Sequence, residues 1–320
     1  MVVSMSLKTF LKFVEIQTKL ASVFPFALGI LFSLYLYGEI SLIRSALMFI
    51  SLELLDMAVT GVNNYSDFKN AARKNGYGYE IHNAMARDSI SPKKAKTVIF
   101  LLLLGSAVFG AWLTALTGWV TALTGLVASA TGFLYSAGPF PTNLTPLSEV
   151  VSGTVMGFAI TFLAVHISGL GIIGTSSSGS LLQFTIHRDI LLKTALFSTP
   201  SVFGISNIML ANNICDMEDD RENGRFTLPL LIGKKRSVLL FAIFTIAQFT
   251  AIALLAAVRV VPSLYLLSLF SAFIVLPGLR IFLRKQSKSE TFVVAVKNFT
   301  IIEAARLLCL ALILICYGSN

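Results

Sequence analysis

Nine apolar stretches lie near residues 20–37, 41–62, 97–115, 118–137, 149–173, 190–213, 237–258, 262–279 and 298–317. Each is close to or beyond the roughly 20 residues that a helix needs to cross a hydrocarbon core. Strand-like alternation is absent, and a backbone inside lipid must satisfy its own hydrogen bonds, so the runs read as helices. With 55% hydrophobic and 13% charged residues, and a mean hydropathy of +0.80, a chain of this length is too apolar for a water-soluble domain. The expected fold is an all-α integral membrane protein of nine transmembrane helices forming a single domain, residues 1–320.

The net charge of +9 would suit a nucleic-acid partner were it not for its distribution. If the N-terminus faces the cytoplasm, 20 of the 25 Lys and Arg residues fall on that side, including Lys69, Arg73, Lys74, Arg87, Arg221, Arg225, Arg284 and Lys288. Only Arg44, Arg188, Lys193 and Arg259 fall opposite, and Arg306 lies within the last span. That asymmetry orients the chain and assigns most of its lysines to anchoring at an anionic leaflet of a cytoplasmic membrane. No cleavable signal peptide is evident, and Cys215, Cys309 and Cys316 have no metal-ligand spacing.

Two loops then stand out by length, residues 63–96 and 214–236, and both leave even-numbered helices on the cytoplasmic side. An Asn-Asn-x-x-Asp motif marks the passage from apolar run to charged loop in each: Asn63-Asn64-Tyr65-Ser66-Asp67 and Asn212-Asn213-Ile214-Cys215-Asp216. Four helices separate the copies, which predicts two parallel-oriented four-helix halves plus one helix, with both motifs at one rim of a central cavity. At 100° per residue Glu53, Asp56, Thr60, Asn63 and Asp67 share an arc of about 80°, and Asn212, Asn213, Asp216 and Asp220 one of about 100°. Ionisable groups within a span are costly unless they face a wet cavity or a partner. Glu53 and Asp56 therefore point either to a cavity that reaches below the membrane surface or to a buried base and hydroxyl donors.

Clustered carboxylates call for a compensating cation. Mg²⁺ takes oxygen ligands and shares them between one or two carboxylates and substrate phosphates. The amides at 63, 64, 212 and 213 can ligate it or hold its waters, and Lys69, Arg73, Arg221 and Arg225 supply the charge that a diphosphate also needs. A diphosphate at the rim of an apolar cavity implies a lipid tail among the helices, hence prenyl chemistry. Loss of diphosphate from an allylic carbon separates charge, which metal and arginine offset.

Asn212-Asn213-x-x-Asp216-x-x-x-Asp220-Arg221-x-Asn223-Gly224-Arg225-x-Thr227-Leu228, followed by Ile232-Gly233-Lys234-Lys235, resembles the UbiA superfamily of intramembrane aromatic prenyltransferases. The likeness is greatest to the branch that prenylates 1,4-dihydroxy-2-naphthoate in menaquinone synthesis. Ser89-Ile90-Ser91-Pro92, Tyr135-Ser136-x-Gly138-Pro139 and Leu147-Ser148-Glu149 resemble its other connections, and Lys19 a basic position near helix 1. The resemblance implies Mg²⁺ and diphosphate held by Asn63, Asp67, Asp216 and Asp220, with Arg225 assisting. It adds Asn64, Asn213 and Tyr135 to the substrate-binding set.

The implied reaction passes a polyprenyl group from its diphosphate to an aromatic acceptor. Departures from the family pattern are Asn64 for an aspartate, Cys215 for a frequent arginine, Asn83-Ala84-Met85 before helix 3, and no basic residue after Pro139. Another acceptor within the family remains open, as does a transporter with a break at Gly169, Gly171 and Gly174. The simpler reading of those glycines is entry to a flexible loop, Thr175–Gly179. His166 reads as a packing residue, and Glu303 and Arg306, three apart, as a pair.

Overall fold

The computed structural model describes residues 5–70, 83–138, 141–169, 171–178 and 181–318. Its long helices, numbered here in chain order, are α1 (Leu20–Tyr37), α2 (Leu42–Asn70), α3 (Pro92–Thr117), α4 (Trp119–Ser136), α5 (Ser148–Ser168), α6 (Arg188–Cys215), α7 (Lys234–Ala257), α8 (Ser263–Arg284) and α9 (Phe292–Tyr317). Among the described residues seven of these are long and apolar enough to cross a membrane, α1 and α3 together with α5 to α9. The remaining two carry the polar faces: α2 has Glu53 and Asp56 in its middle, and α4 is diluted by Thr, Ser and Gly.

Local chemistry sets the boundaries. Helix α3 starts with Pro92 at its first turn and the Ser91 hydroxyl accepting from Lys94 N–H, which satisfies an orphan donor of the helix start. Helix α1 stops at Gly38, whose φ of 77° is costly for a residue with a side chain. Two boundaries differ from expectation in a way that matters for the site. Helix α2 runs to Asn70, so Asn63–Asp67 sit on final helical turns instead of in a loop, and α6 runs to Cys215, two residues past its expected end, with Asn212–Asn213 on its last turn as expected. Helical backbone holds these side chains at fixed spacing.

A correction applies at the opposite end. Thr175–Ser178, expected as part of a flexible loop, belong to a strand, β1 (Ile173–Ser178), which pairs antiparallel with β2 (Leu181–Ile186), Ile173 opposite Ile186. β-Branched residues and a polar, alternating stretch favour pairing over helix here. His166 ties the hairpin to α5, its Nδ1 accepting from Ile172 N–H at 3.0 Å, in keeping with a satisfied packing residue.

Helix α5 contains a π-helical segment, Gly153–Ala159. A Cβ on Gly157 would lie 2.6 Å from Val202 N, so only glycine lets α5 approach the α6 backbone this closely. Small residues at such crossings are the usual route to close helix packing in lipid. Behind the same region, the fully buried Arg306 joins three helices. It donates to Glu303 on its own helix at 2.6 Å, to Tyr265 Oη on α8 at 3.0 Å, and to Ser201 Oγ and Phe197 O on α6 at 2.7 and 2.6 Å. A buried guanidinium is tolerated when its charge and donors are engaged in this way.

Candidate active site

The helices surround a cavity of about 1780 Å³. Its deep walls are apolar, with Met48, Leu113, Ile160 and Leu163 among them, and its mouth is lined by Asn63, Asp67, Asn212, Asp216, Asp220 and Arg225. Both motifs reach one mouth, as their shared spacing implied. The wall below carries Ser22, Asp56 and Thr60, so the cavity extends inward along the polar stripe of α2.

The second motif is shaped by its turns. Asp216 caps α6, and the short helix Met217–Glu222 follows at once, with Asp220 N–H donating to Asp216 O at 2.8 Å. Gly224, at φ 68°, then reverses the chain so that Arg225 N–H reaches Asp220 O at 2.9 Å. This turn brings the guanidinium back over the mouth. Arg225 lies 3.2 Å from Asp67 Oδ1 and 3.6 Å from Asp220 Oδ1, and so bridges the two motifs with one cation.

A second cation arrives from the connection between α8 and α9. Lys288 Nζ contacts Asp216 Oδ2 at 2.5 Å and Asn212 Oδ1 at 2.5 Å. Three carboxylates thus meet two side-chain cations at the mouth. Burial pushes the Asp220 carboxyl up to about 6, the neighbouring Asp216 charge adding to the effect and Arg225 opposing it. Burial, with the Asp216 charge, also raises Asp219.

The remaining expected residues divide into three groups. Asn63 is at the mouth, where its Oδ1 accepts from Ser136 Oγ at 2.9 Å and Asn143 Nδ2 at 3.3 Å. Tyr135 lines the cavity and donates to Met209 Sδ at 3.0 Å. Asn64 and Asn213 hold the framework. Asn64 Nδ2 donates to Phe13 O at 3.0 Å and Glu15 Oε1 at 3.1 Å, fastening the N-terminal segment to α2. Asn213 Nδ2 donates to Glu149 Oε1 at 2.9 Å and Ser148 Oγ at 3.1 Å. Lys69 and Arg221 are exposed and stand outside the cavity wall, and Arg73 lies outside the described residues.

Asn64 explains one departure from the family pattern. Its amide serves two acceptors, a carbonyl and a carboxylate, and an aspartate could donate to neither. Lys288 had no motif to announce it, since it belongs to the basic run Arg284–Lys288 that reads as a membrane anchor.

Among the described residues no three His, Cys, Asp or Glu side chains form a ready metal cage. The donor set nonetheless fits a hard divalent ion: among the described residues at the mouth the candidate ligands are carboxylates and amide oxygens, without thiolate or imidazole. Arg225 and Lys288 occupy positions between those carboxylates where positive charge is required.

The sequence profile of the UbiA prenyltransferase family matches residues 22–301. The chain is 31% identical over 261 residues to 1,4-dihydroxy-2-naphthoate octaprenyltransferase of Bacillus subtilis strain 168, covering 79% of this chain and 75% of that protein. Its fold is shared with a UbiA homologue from Aeropyrum pernix K1, with a TM-score of 0.67, 19% identity, and 91% and 98% of the two chains covered. A UbiA homologue from Archaeoglobus fulgidus bound to GPP and Mg²⁺ gives a TM-score of 0.63 at 14% identity, covering 95% and 99%.

Proposed function

Because this chain belongs to the UbiA prenyltransferase family, and is a multi-pass membrane prenyltransferase, we propose that it transfers a polyprenyl group from polyprenyl diphosphate to 1,4-dihydroxy-2-naphthoate, with Mg²⁺ as cofactor. The observation that carries this reading is Arg225 bridging Asp67 and Asp220 at the mouth of a deep apolar cavity. Charge for a diphosphate and space for its tail meet there. The relative from Bacillus subtilis supports the acceptor, and the Archaeoglobus neighbour with GPP and Mg²⁺ supports the donor and the ion.

In this reading Asp67, Asp216 and Asp220, with Asn63, would hold the ion. Bound Mg²⁺ supplies charge stabilisation to the departing diphosphate. Arg225 and Lys288 turn from the carboxylates toward phosphate oxygens, where a guanidinium offers a fork and an ammonium a point charge. The tail lies among the apolar walls, which exclude water from the reacting carbon. The C1–O bond breaks with both electrons leaving on diphosphate. A ring carbon of the acceptor then supplies the pair for the new bond to C1, and the ring loses a proton, or carbon dioxide where that carbon bears the carboxylate.

The topology extends the same reading. All of α1 to α9 cross the bilayer as two parallel four-helix halves plus α9, and the site faces the cytoplasm of a bacterial cell, where the basic residues concentrate. Quinone profiling after deletion of the gene tests the acceptor. Loss of menaquinone with accumulation of the naphthoate is expected; unchanged menaquinone with loss of a different prenylated compound would assign another acceptor.

A further inference from the structure

Below the diphosphate site, α1 and α2 enclose a polar cluster that the transfer mechanism does not use. Lys19, 5% exposed at its side chain, forms an ion pair with Asp56, 14% exposed, at 2.6 Å. Lys19 Nζ also contacts Asp56 O at 3.2 Å and Thr60 Oγ1 at 2.6 Å. An ammonium has three donors, and all three are engaged.

The acceptors in this cluster are not matched in the same way. Ser22 has one hydroxyl proton, yet its Oγ lies 2.8 Å from Lys19 O, 3.0 Å from Glu53 Oε1 and 2.7 Å from Asp56 Oδ2. Thr60 directs its own proton to Asp56 O at 3.0 Å. Lys19 serves Asp56 but not Glu53, and the two carboxyl groups compete for the single hydroxyl proton of Ser22. Buried acceptors without donors are costly, and Ser22, Asp56 and Thr60 line the cavity wall. A group that enters the cavity with its own O–H finds acceptors here, whereas a carboxylate meets the Asp56 carboxyl group and a lysine whose three donors are already engaged.

Position along the helix fits the same idea. Asp56 precedes Asp67 by eleven residues on α2, a rise of about 16 Å. That distance accommodates a diphosphate held at the aspartate motifs, a reacting gap of about 3 Å and an aromatic ring whose far hydroxyl reaches Asp56.

We propose that Asp56, held by Lys19, Ser22 and Thr60, is the acceptor-binding residue: it takes a hydrogen bond from a ring hydroxyl of a phenol or hydroquinone and orients the ring toward the prenyl carbon. The inference rests on the prenyl-transfer reading above and deepens it by naming the group that recognises the acceptor. A carboxylate on the acceptor, if present, points toward Arg225 and Lys288 at the mouth.

The test uses the purified full-length protein with Mg²⁺, farnesyl diphosphate, and 1,4-dihydroxy-2-naphthoate or its two monomethyl ethers. One ether should bind at least tenfold more weakly than the parent, and equal binding of all three overturns the proposal. Asp56→Asn should raise the acceptor KM at least tenfold and leave the farnesyl diphosphate KM within twofold; an unchanged acceptor KM, or an equal rise in both, overturns it. Since Asp56→Asn strands Lys19, the double variant Lys19→Met/Asp56→Asn separates structure from recognition. Its Tm should return toward wild type while the acceptor KM stays high, and recovery of both would make the pair structural only. Equilibrium binding of farnesyl diphosphate and of the naphthoate, measured separately, distinguishes failures. Absent diphosphate binding counts against the transfer reading, whereas naphthoate binding that ignores Asp56→Asn counts against this one.

Discussion

Lys288 Nζ sits 2.5 Å from Asp216 Oδ2, so the connection between α8 and α9 places an ammonium against a carboxylate at the end of α6. The contact brings a third part of the chain to a site otherwise built from α2 and the segment after α6. It also gives Asp216 a counter-charge that a divalent ion and diphosphate must displace or share.

Replacing Lys288 by methionine should therefore weaken prenyl diphosphate binding by about tenfold, the size of one charge-assisted hydrogen bond, with little effect on acceptor affinity. Steady-state kinetics with each substrate varied in turn measures this. An unchanged prenyl diphosphate KM would mean that the lysine serves only the fold.

Arg225→Lys should do more harm than its conserved charge suggests. The guanidinium reaches Asp67 and Asp220 with two different nitrogens, and a lysine has a single nitrogen to offer. A fall in kcat/KM of about a hundredfold is expected, close to that of Arg225→Met. Activity near wild type in the lysine variant would show that bridging is unnecessary.

Asn64→Asp restores the acid that the family pattern favours, and it should destabilise this chain. Two donor bonds are lost, and the new carboxylate meets Glu15 Oε1, now 3.1 Å from the amide. Leaving buried partners unmet costs about 1–3 kcal/mol, visible as a lower Tm in detergent. A raised Tm would refute the clamp assigned to Asn64.

The pH response of the metal-free protein follows from Asp220. Its carboxyl is pushed up to about 6 in the fold, chiefly by burial, from an ordinary value of 3.8. A raised carboxyl favours the protonated folded state, so its contribution to stability is present below about pH 4 and lost as pH rises through about 6. Metal-free wild type should lose Tm between pH 4.5 and 7 relative to Asp220→Asn, and Mg²⁺ with diphosphate should reverse that loss. Parallel Tm profiles for the two proteins would contradict it.

Much of this architecture was written in local pattern. The nine apolar runs mark the long helices, seven of which among the described residues are long and apolar enough to cross a membrane, and the four-helix separation of the motifs placed both at one mouth. Helix ends were less legible, because Asn63 to Asp67 reads as the start of a polar loop although tertiary contacts keep it helical to Asn70. The division of labour between Asn63 and Asn64 depends on which side chain meets Phe13 and Glu15, a long-range fact with no signature in the motif. Lys288 and the Lys19–Asp56 pair were equally hidden, since each joins segments far apart in sequence. The Glu303–Arg306 pair was readable from its spacing of three on one helix.

The central claim is prenyl transfer at the joined aspartate motifs. The most direct measurement incubates wild-type and Asp216→Asn protein, matched by Tm and monodispersity, with farnesyl diphosphate, 1,4-dihydroxy-2-naphthoate and Mg²⁺, and follows product by mass spectrometry. Wild type should yield the prenylated ring with Mg²⁺ and none with chelator, and the variant should yield none. Full activity in Asp216→Asn, or product that persists in chelator, would contradict the account.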